Sequence, residues 1–559
     1  MTVKEILSAE KCKQYAKILK DAIKADSGFF CAAGITVFML WLENFIAWLS
    51  KSNTVVMNPF IHTLWVYLGA FGICMLAARF CGRTTGKIFM TILVVLNSIV
   101  CIAASVSMAF FQLRISGEVF FVLAASSTQE AKEFISIFFN YQFILLLLLL
   151  LVPIVFSLYL LWKKSWKRTG ISVVLAVIMI LPLAINVLRK GIEGECWDVF
   201  KYTTGIRMIN EYIHFNNDFR KIYNTIQNPQ IPEGVACTLP DGVKKTVSVL
   251  VIGESASRHA MEVYGYPRET TPCMTKEKNS SIFFTDVLAA YPYTTKAVRT
   301  MLTNESYDNP DYNYTIFDIF KKAGWHTVFL SNQIKWGKND SPVSMFTSRA
   351  DQREFFQLGA FVNYDEIILD KFDQYVDQVE KPTLIVIHLF GSHAKYVNRY
   401  PESFTYFKDG KNQIEDQYAN SIRYTDMVLG RIMEKLKSLP YPANMLYLSD
   451  HAVDFTQKKD RRSPASTNSI YYEVPFVLWG NASYRSQFST FWHQAEKNKD
   501  LPFQLDHADW AILAASQISF PAFQKDKDIF SSSYKIPAAR YYGSLNHPEK
   551  KQQLPHKQD

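Results

Sequence analysis

The chain has 559 residues, too many for one hydrophobic core, and 49% of them are apolar. Its net charge of +9 is modest, and much of the basic excess lies between apolar spans, which fits a topology signal and argues against a nucleic-acid partner. None of the eight cysteines has Cys-x-x-Cys spacing, so composition argues against a cysteine-built metal centre.

The first 190 residues differ sharply from the rest. Five hydrophobic spans lie near 29–49, 62–80, 88–111, 142–162 and 171–188, each close to the roughly 20 residues a helix needs to cross a bilayer core. The stretch from Phe143 to Leu151 is wholly apolar and has no soluble-core explanation. Positive charge orients the array: Lys4, Lys11, Lys13, Lys17, Lys20 and Lys24 precede the first span, Arg79, Arg83 and Lys87 join the second to the third, and Lys163, Lys164, Lys167 and Arg168 join the fourth to the fifth. The alternate connections carry only Lys51, then Arg114 and Lys132. The N-terminus is therefore expected in the cytoplasm, with everything beyond about residue 190 on the far side. The segment before the first span is too long and lacks the cleavage site of a signal peptide, so the span is expected to remain as an anchor. Glu43 and Asn44 stand toward the exported end of that span, where they either snorkel to the interface or meet a lipid headgroup.

Residues 191–245 read as a bridge. Trp197, Phe200, Tyr202, Ile209, Tyr212, Ile213 and Phe219 alternate with Lys201, Arg207 and Arg220, a mixture that suits either amphipathic helices on a membrane surface or helices packed on a globular domain. Asn228–Gly234 reads as a linker. Cys196, Cys237 and Cys273 are the exported cysteines and allow at most one internal disulfide.

Residues 246–540 carry the signature of an α/β domain. Five short apolar runs, Val247–Ile252, His326–Leu330, Thr383–Ile387, Asn444–Leu448 and Val474–Trp479, are separated by helix-length stretches, which predicts a mostly parallel central sheet flanked by helices. Ligands gather at the carboxyl ends of such strands. There the sequence places Gly253-Glu254-Ser255, Ser331-Asn332, His388 with Gly391-Ser392-His393, and Ser449-Asp450-His451. Glu254, Asp450 and His451 offer the carboxylate and imidazole ligands that zinc takes. Tyr291–Leu302 reads as a loop entering a helix at Thr294 or Thr295, so Thr294 is either a nucleophile beside the metal or merely a helix N-cap. His388 can be a core histidine or a ligand; His259 and His507 read as supporting or structural. Lys458, Lys459, Arg461 and Arg462 form either a solvated loop or a phosphate contact. No GxxxxGK[ST] or GxGxxG loop is present, so nucleotide chemistry has no support. Residues 541–559 read as a polar, disordered tail.

The five-helix anchor, Gly253-Glu254-Ser255, Tyr264-Gly-Tyr-Pro-Arg-Glu-Thr-Thr-Pro272, the Thr294 loop, Gly391-Ser392-His393 and Ser449-Asp450-His451, taken in this order, resemble the membrane phosphoethanolamine transferases of Gram-negative bacteria, within the alkaline phosphatase and sulfatase superfamily. The resemblance spans nearly the whole chain. It implies an alkaline-phosphatase-like domain tethered at the inner membrane and facing the periplasm. It implies Zn2+ held by Glu254, Thr294, Asp450 and His451, with Thr294 as the nucleophile and His393 binding a second metal or phosphate. Asn332, Lys335 and Glu130 would then contact substrate. The implied reaction takes phosphoethanolamine from phosphatidylethanolamine to lipopolysaccharide or another envelope glycan or lipid through a phospho-threonine. Departures are visible: Ala452-Val453-Asp454 follows the Asp-His pair where relatives read Gly then Glu, and a family histidine shortly before Val474-Pro475 is missing. These motivate a metal-free scaffold as one alternative; a second, a phosphoglycerol transferase, shares the anchor, fold and threonine chemistry and differs in its donor, and the Tyr264–Pro272 and Gly391–His393 segments favour ethanolamine. A sulfatase would need a Cys-x-Pro-x-Arg type sequence, which Cys273-Met-Thr-Lys is not.

Overall fold

In a computed structural model, the described residues are 9–49, 57–111, 115, 141–164, 170–192, 204–334, 345–357, 363–408, 410, 412–456, 469–544 and 547–553. They form two compact units, one of residues 1–118 with 136–215, the other of 119–135 with 216–559.

The first unit is helical: α1 (Ala9–Ala25), α2 (Ser27–Leu49), α3 (Met57–Phe80), α4 (Arg83–Phe111), α5 (Tyr141–Lys163) and α6 (Gly170–Ile192). Among the described residues, Arg83–Ser107 and Phe143–Lys163 are long and apolar enough to cross a membrane. Leu145, Leu148, Leu149, Val152, Val155 and Phe156 of α5 point outward and exposed, whereas Leu150 and Ile154 pack inward with Phe71, Met90 and Val94. A helix apolar all round whose outer face carries leucine and phenylalanine is suited to lipid rather than water. Close packing depends on small residues: a Cβ on Gly86 would stand 2.3 Å from Ala78 Cβ.

Helix α7 (Thr204–Gln227) spans the division between the units. Its last turns bury Ile222 and Ile226 against Tyr312, Met345 and Phe346, with Phe219 beside them. For this half of the expected bridge, packing on a globular domain is the arrangement found. Ile209, Tyr212 and Ile213 stay exposed.

The second unit is built on a seven-stranded sheet of β1 (Val247–Gly253), β2 (Ser281–Phe283), β3 (His326–Ile334), β4 (Gln352–Gln357), β5 (Thr383–His388), β6 (Ala443–Ser449) and β7 (Phe476–Gly480). The order across it is β2-β7-β6-β1-β5-β3-β4. From β6 to β4 neighbours are parallel; β7 runs antiparallel to β6, and β2 antiparallel to β7. The sheet is therefore mixed, and the last of the five expected strands does not share the direction of the others. A parallel return needs a crossover of a dozen residues or more, usually a helix. Between β6 and β7 the described residues hold only the short turn Ser469–Tyr471, so the chain re-enters the sheet from the rim it left. Pro475 stands just before β7, where its missing N–H costs no ladder bond. The short edges β2 and β4 escaped the sequence reading; Gln-Arg-Glu-Phe-Phe-Gln has little of a strand's apolar signal.

The central strands are buried on both faces. Leu250 and Ile252 face Val298, Met301 and Leu302 of α8 (Thr294–Leu302), while Val249 and Val251 face Tyr418, Ile422 and Leu429 of α9 (Gln413–Lys437). That is why β1 reads as a continuous apolar run rather than an alternation. The expected tail begins in a hairpin: Tyr541–Ser544 pairs antiparallel with His547–Gln553, and Tyr541 N donates to Gln504 Oε1 at 2.9 Å. Among the described cysteines no disulfide forms; Cys237 and Cys273 are free, and Cys196 lies outside the described residues.

Candidate active site

Strands β1 and β6 are neighbours with Gly253 opposite Ser449, so the residues just beyond each meet at one rim. Glu254, Asp450 and His451 are each at most 3% exposed, and one ligand atom from each lies within 4.8 Å of the others. Glu254 Oε1 accepts the Ser255 hydroxyl at 2.5 Å, and Oε2 accepts Thr294 Oγ1 at 2.8 Å. Asp450 Oδ1 accepts the backbone N–H groups of Ser255 at 3.0 Å and His451 at 2.7 Å. Asp450 Oδ2 is buried without a hydrogen-bond partner. His451 Nδ1 lies 3.1 Å from Ala452 O, which can only accept, so Nδ1 is the donor of that bond. Its Nε2 lies 3.4 Å from Glu254 Oε1 and 3.6 Å from Asp450 Oδ2.

Burial, then the neighbouring Glu254 charge, pushes the Asp450 carboxyl well above the usual range. Two carboxylates and an imidazole, removed from water around a buried carboxylate oxygen with no hydrogen-bond partner, make a group that could hold a metal ion. Two oxygens, one imidazole nitrogen and a hydroxyl suit zinc, and the donor set fits the ion that the sequence implies. Among the described residues this is the one group of its kind.

Thr294 is not the cap of its helix. The N-cap of α8 is Tyr293, in extended conformation; Thr294 is the first helical residue, and its hydroxyl turns to Glu254 rather than to its own helix. Thr294 stands at the N-terminus of α8, the end of a helix that favours phosphate.

The β5 loop forms the second wall. Asp365, fully buried, accepts from Phe390 N and Asn332 Nδ2 on Oδ1 and from Gly391 N on Oδ2, each at 2.8 Å. Gly391 (φ +52°) then passes so close to Glu254 that its own Cβ would stand 2.7 Å from Glu254 O, and Ser392 N donates to that oxygen at 2.9 Å. His393 is half-buried and stacks on Phe390, ring centroids 5.3 Å apart; the Arg399 guanidinium lies 4.1 Å from the same Phe390 ring. His393 does not share the cluster of three ligands. Asn332 is fully buried and also donates to Asn363 O at 2.9 Å, so its amide supports Asp365. Lys335, Glu130, Lys338, Lys458, Lys459, Arg461 and Arg462 lie outside the described residues.

Of the remaining histidines, His388 is buried and neither ring nitrogen has a hydrogen-bond partner among the described residues. Burial pushes its pKa down to about 4 against the pull of Glu254, so the ring is neutral. His259 Nε2 and Arg258 Nη2 both lie 2.6 Å from Glu473 Oε2. His259, then Arg258, holds the Glu473 carboxyl well below its usual range. His507 is half-buried, 3.9 Å from Asp506 Oδ2. Sequence reasoning missed Asp365 and Tyr418, whose neighbours carry no motif, and gave Ser255 no role of its own.

Residues 246–509 match the Sulfatase family. Over 482 residues the chain is 25% identical to the phosphoethanolamine transferase EptC of Escherichia coli K12, covering 78% of this chain and 81% of that one. The integral membrane lipooligosaccharide phosphoethanolamine transferase A of Neisseria meningitidis superposes over 89% of this chain and 97% of its own, with TM-score 0.63 and 18% identity. The periplasmic domain of E. coli EptC, solved in complex with zinc, superposes over 57% of this chain and 95% of its own, with TM-score 0.52 and 23% identity.

Proposed function

We propose that this chain, which is similar to the phosphoethanolamine transferases of the alkaline phosphatase and sulfatase superfamily, moves phosphoethanolamine from phosphatidylethanolamine to an envelope glycan or lipid. The observation that carries the reading is the Thr294 hydroxyl, 2.8 Å from Glu254 at the edge of the buried Glu254–Asp450–His451 cluster. Zinc held by Glu254, Thr294, Asp450 and His451 would supply positive charge that acidifies the threonine hydroxyl and draws the phosphoryl oxygens.

The chain's own residues do the rest. Glu254 Oε2 orients the Thr294 proton away from the attacking lone pair. Thr294 Oγ1 bonds to phosphorus as its proton passes to Glu254 Oε2, the phosphorus–oxygen bond to diacylglycerol breaks, and the diacylglycerol oxygen takes a proton from solvent as it leaves into the bilayer. The amides at the start of α8 receive the phosphoryl oxygens. A hydroxyl or phosphate of the acceptor, in lipopolysaccharide or another envelope molecule, then attacks the same phosphorus, and Thr294 is restored. His393, on the Asp365-held loop, orients phosphate or carries the acceptor's proton; Lys335 and Glu130 are assigned to substrate by the family resemblance, and Asn332 contributes through Asp365. The tether is residues 1–190 in the inner membrane with a cytoplasmic N-terminus, followed by the bridge to 245 and a periplasmic domain over 246–540. A donor that leaves a diacylglycerol explains a catalytic domain anchored at its substrate.

Intact-mass measurement of the full chain incubated with zinc and phosphatidylethanolamine tests this directly. A phosphoethanolamine adduct is expected on the wild type and none on Thr294→Ala. An adduct formed from phosphatidylglycerol instead moves the donor to phosphoglycerol, and metal-free chain with no adduct from either lipid leaves a scaffold.

A further inference from the structure

Ser255 follows the glutamate at the tip of β1 with φ +60°, a left-handed conformation that L side chains rarely adopt. Glycine would take it without strain, yet the residue is a serine with no exposed surface. Its three polar groups all have assigned work. Its hydroxyl donates to Glu254 Oε1 at 2.5 Å, its amide donates to Asp450 Oδ1 at 3.0 Å, and its carbonyl accepts the Tyr418 hydroxyl at 2.8 Å. Tyr418 in turn accepts from Ser257 N at 2.8 Å, so a buried side chain from α9 clamps the turn from below.

Each carboxylate of the cluster thus has one oxygen occupied by Ser255. What remains is Glu254 Oε2, shared with Thr294, and Asp450 Oδ2, which has no partner. Left alone, a carboxylate can turn either oxygen, or both, toward a cation. Here one residue, reaching both, makes that choice before any ion arrives.

We propose that Ser255 is a positioning residue that fixes which oxygen of Glu254 and of Asp450 is presented to the metal, and that its strained turn is kept because the hydroxyl is needed. The inference rests on the metal-site reading above. Hydrogen-bonding partners of ligands typically affect metal affinity by 10–100-fold, so Ser255→Ala is expected to weaken zinc binding by at least about 10-fold in chelator competition on the full-length protein. Ser255→Gly separates this from folding. It keeps the amide and carbonyl contacts and relieves the left-handed strain, so it is expected to match or exceed Ser255→Ala in metal-free thermal stability while binding zinc as weakly. Either variant binding zinc within about twofold of a zinc-binding wild type overturns the proposal alone. A wild type that takes up no zinc overturns it together with the metal site beneath it.

Discussion

Gly391→Ala isolates the contact on which the site's second wall depends. A Cβ at this position meets two separate penalties. The first is conformational: at φ +52° an alanine loses roughly 1–2 kcal/mol relative to glycine. The second is steric: the new carbon would stand 2.7 Å from Glu254 O and 2.9 Å from Glu254 N, backbone atoms that cannot swing aside. Overpacking of that kind costs typically 1–3 kcal/mol, so the sum is about 2–5 kcal/mol. At roughly 2 °C per kcal/mol for a domain of this size, the unfolding midpoint of the full chain in detergent should fall by about 4–10 °C. Zinc uptake should fall with it, because relief requires the Glu254 backbone or the Gly391 loop to shift. Gly324→Ala is the control: its φ is +86°, but nothing lies within 4 Å of the added carbon, so it should show the conformational part only. Equal midpoints for the two variants, with unchanged zinc uptake in Gly391→Ala, would refute the claim that the loop bears on the glutamate.

Asp365→Asn should lower the unfolding midpoint by about 4–8 °C, since one charge-assisted bond is lost and an amide N–H is forced against the Gly391 N–H, together about 2–4 kcal/mol. A midpoint unchanged within 1 °C would mean that the β5 loop is held by something else. Asp528 predicts a pH dependence. Burial raises its folded pKa to about 7 against an ordinary 3.8, with only Phe530 N–H opposing. Between these values the folded chain holds a proton that the unfolded chain releases, so stability is full below about pH 4 and declines as pH rises through 7. Asp528→Asn should therefore be more stable than wild type at pH 8, by about 2–4 kcal/mol, with the difference vanishing near pH 4; thermal midpoints across that range check the sign.

The strand ends and the ligand trio were legible in the sequence because both rest on short-range patterns. An apolar run that stops at Gly253-Glu254 or Ser449-Asp450-His451 announces a buried strand and its polar rim at once. The direction of β7 was not legible, because strand sense depends on the connection, and the residues of 450–475 do not declare whether a helix will form. Asp365 was invisible for another reason. Its importance comes from meeting Phe390, Gly391 and Asn332, residues 25–33 positions away in sequence, and nothing in Tyr364-Asp365-Glu366 marks it. Thr294 lay between: the residue could be singled out, but only the orientation of its hydroxyl, toward Glu254, sets aside the cap reading.

The buried polar contacts around the cluster explain why these three loops can hold their geometry. The β1 loop is fixed by Ser255 and Tyr418, and again where Arg258 and His259 reach Glu473, the residue just before Val474-Pro475. The β5 loop hangs on Asp365, and its Ser392 hydroxyl accepts from Ser421 of α9 at 2.8 Å. The β6 loop is tied through Ala452 N to Tyr471 O at 2.9 Å. None of these bonds involves a ligand atom left facing the cation. Within these fastened walls, burial and then the nearby Glu254 charge raise the Asp450 carboxyl. Thr294 reaches the cluster from a further element, as the first residue of α8 with its hydroxyl bonded to Glu254 Oε2; in the function proposed above, that is the oxygen that meets phosphorus.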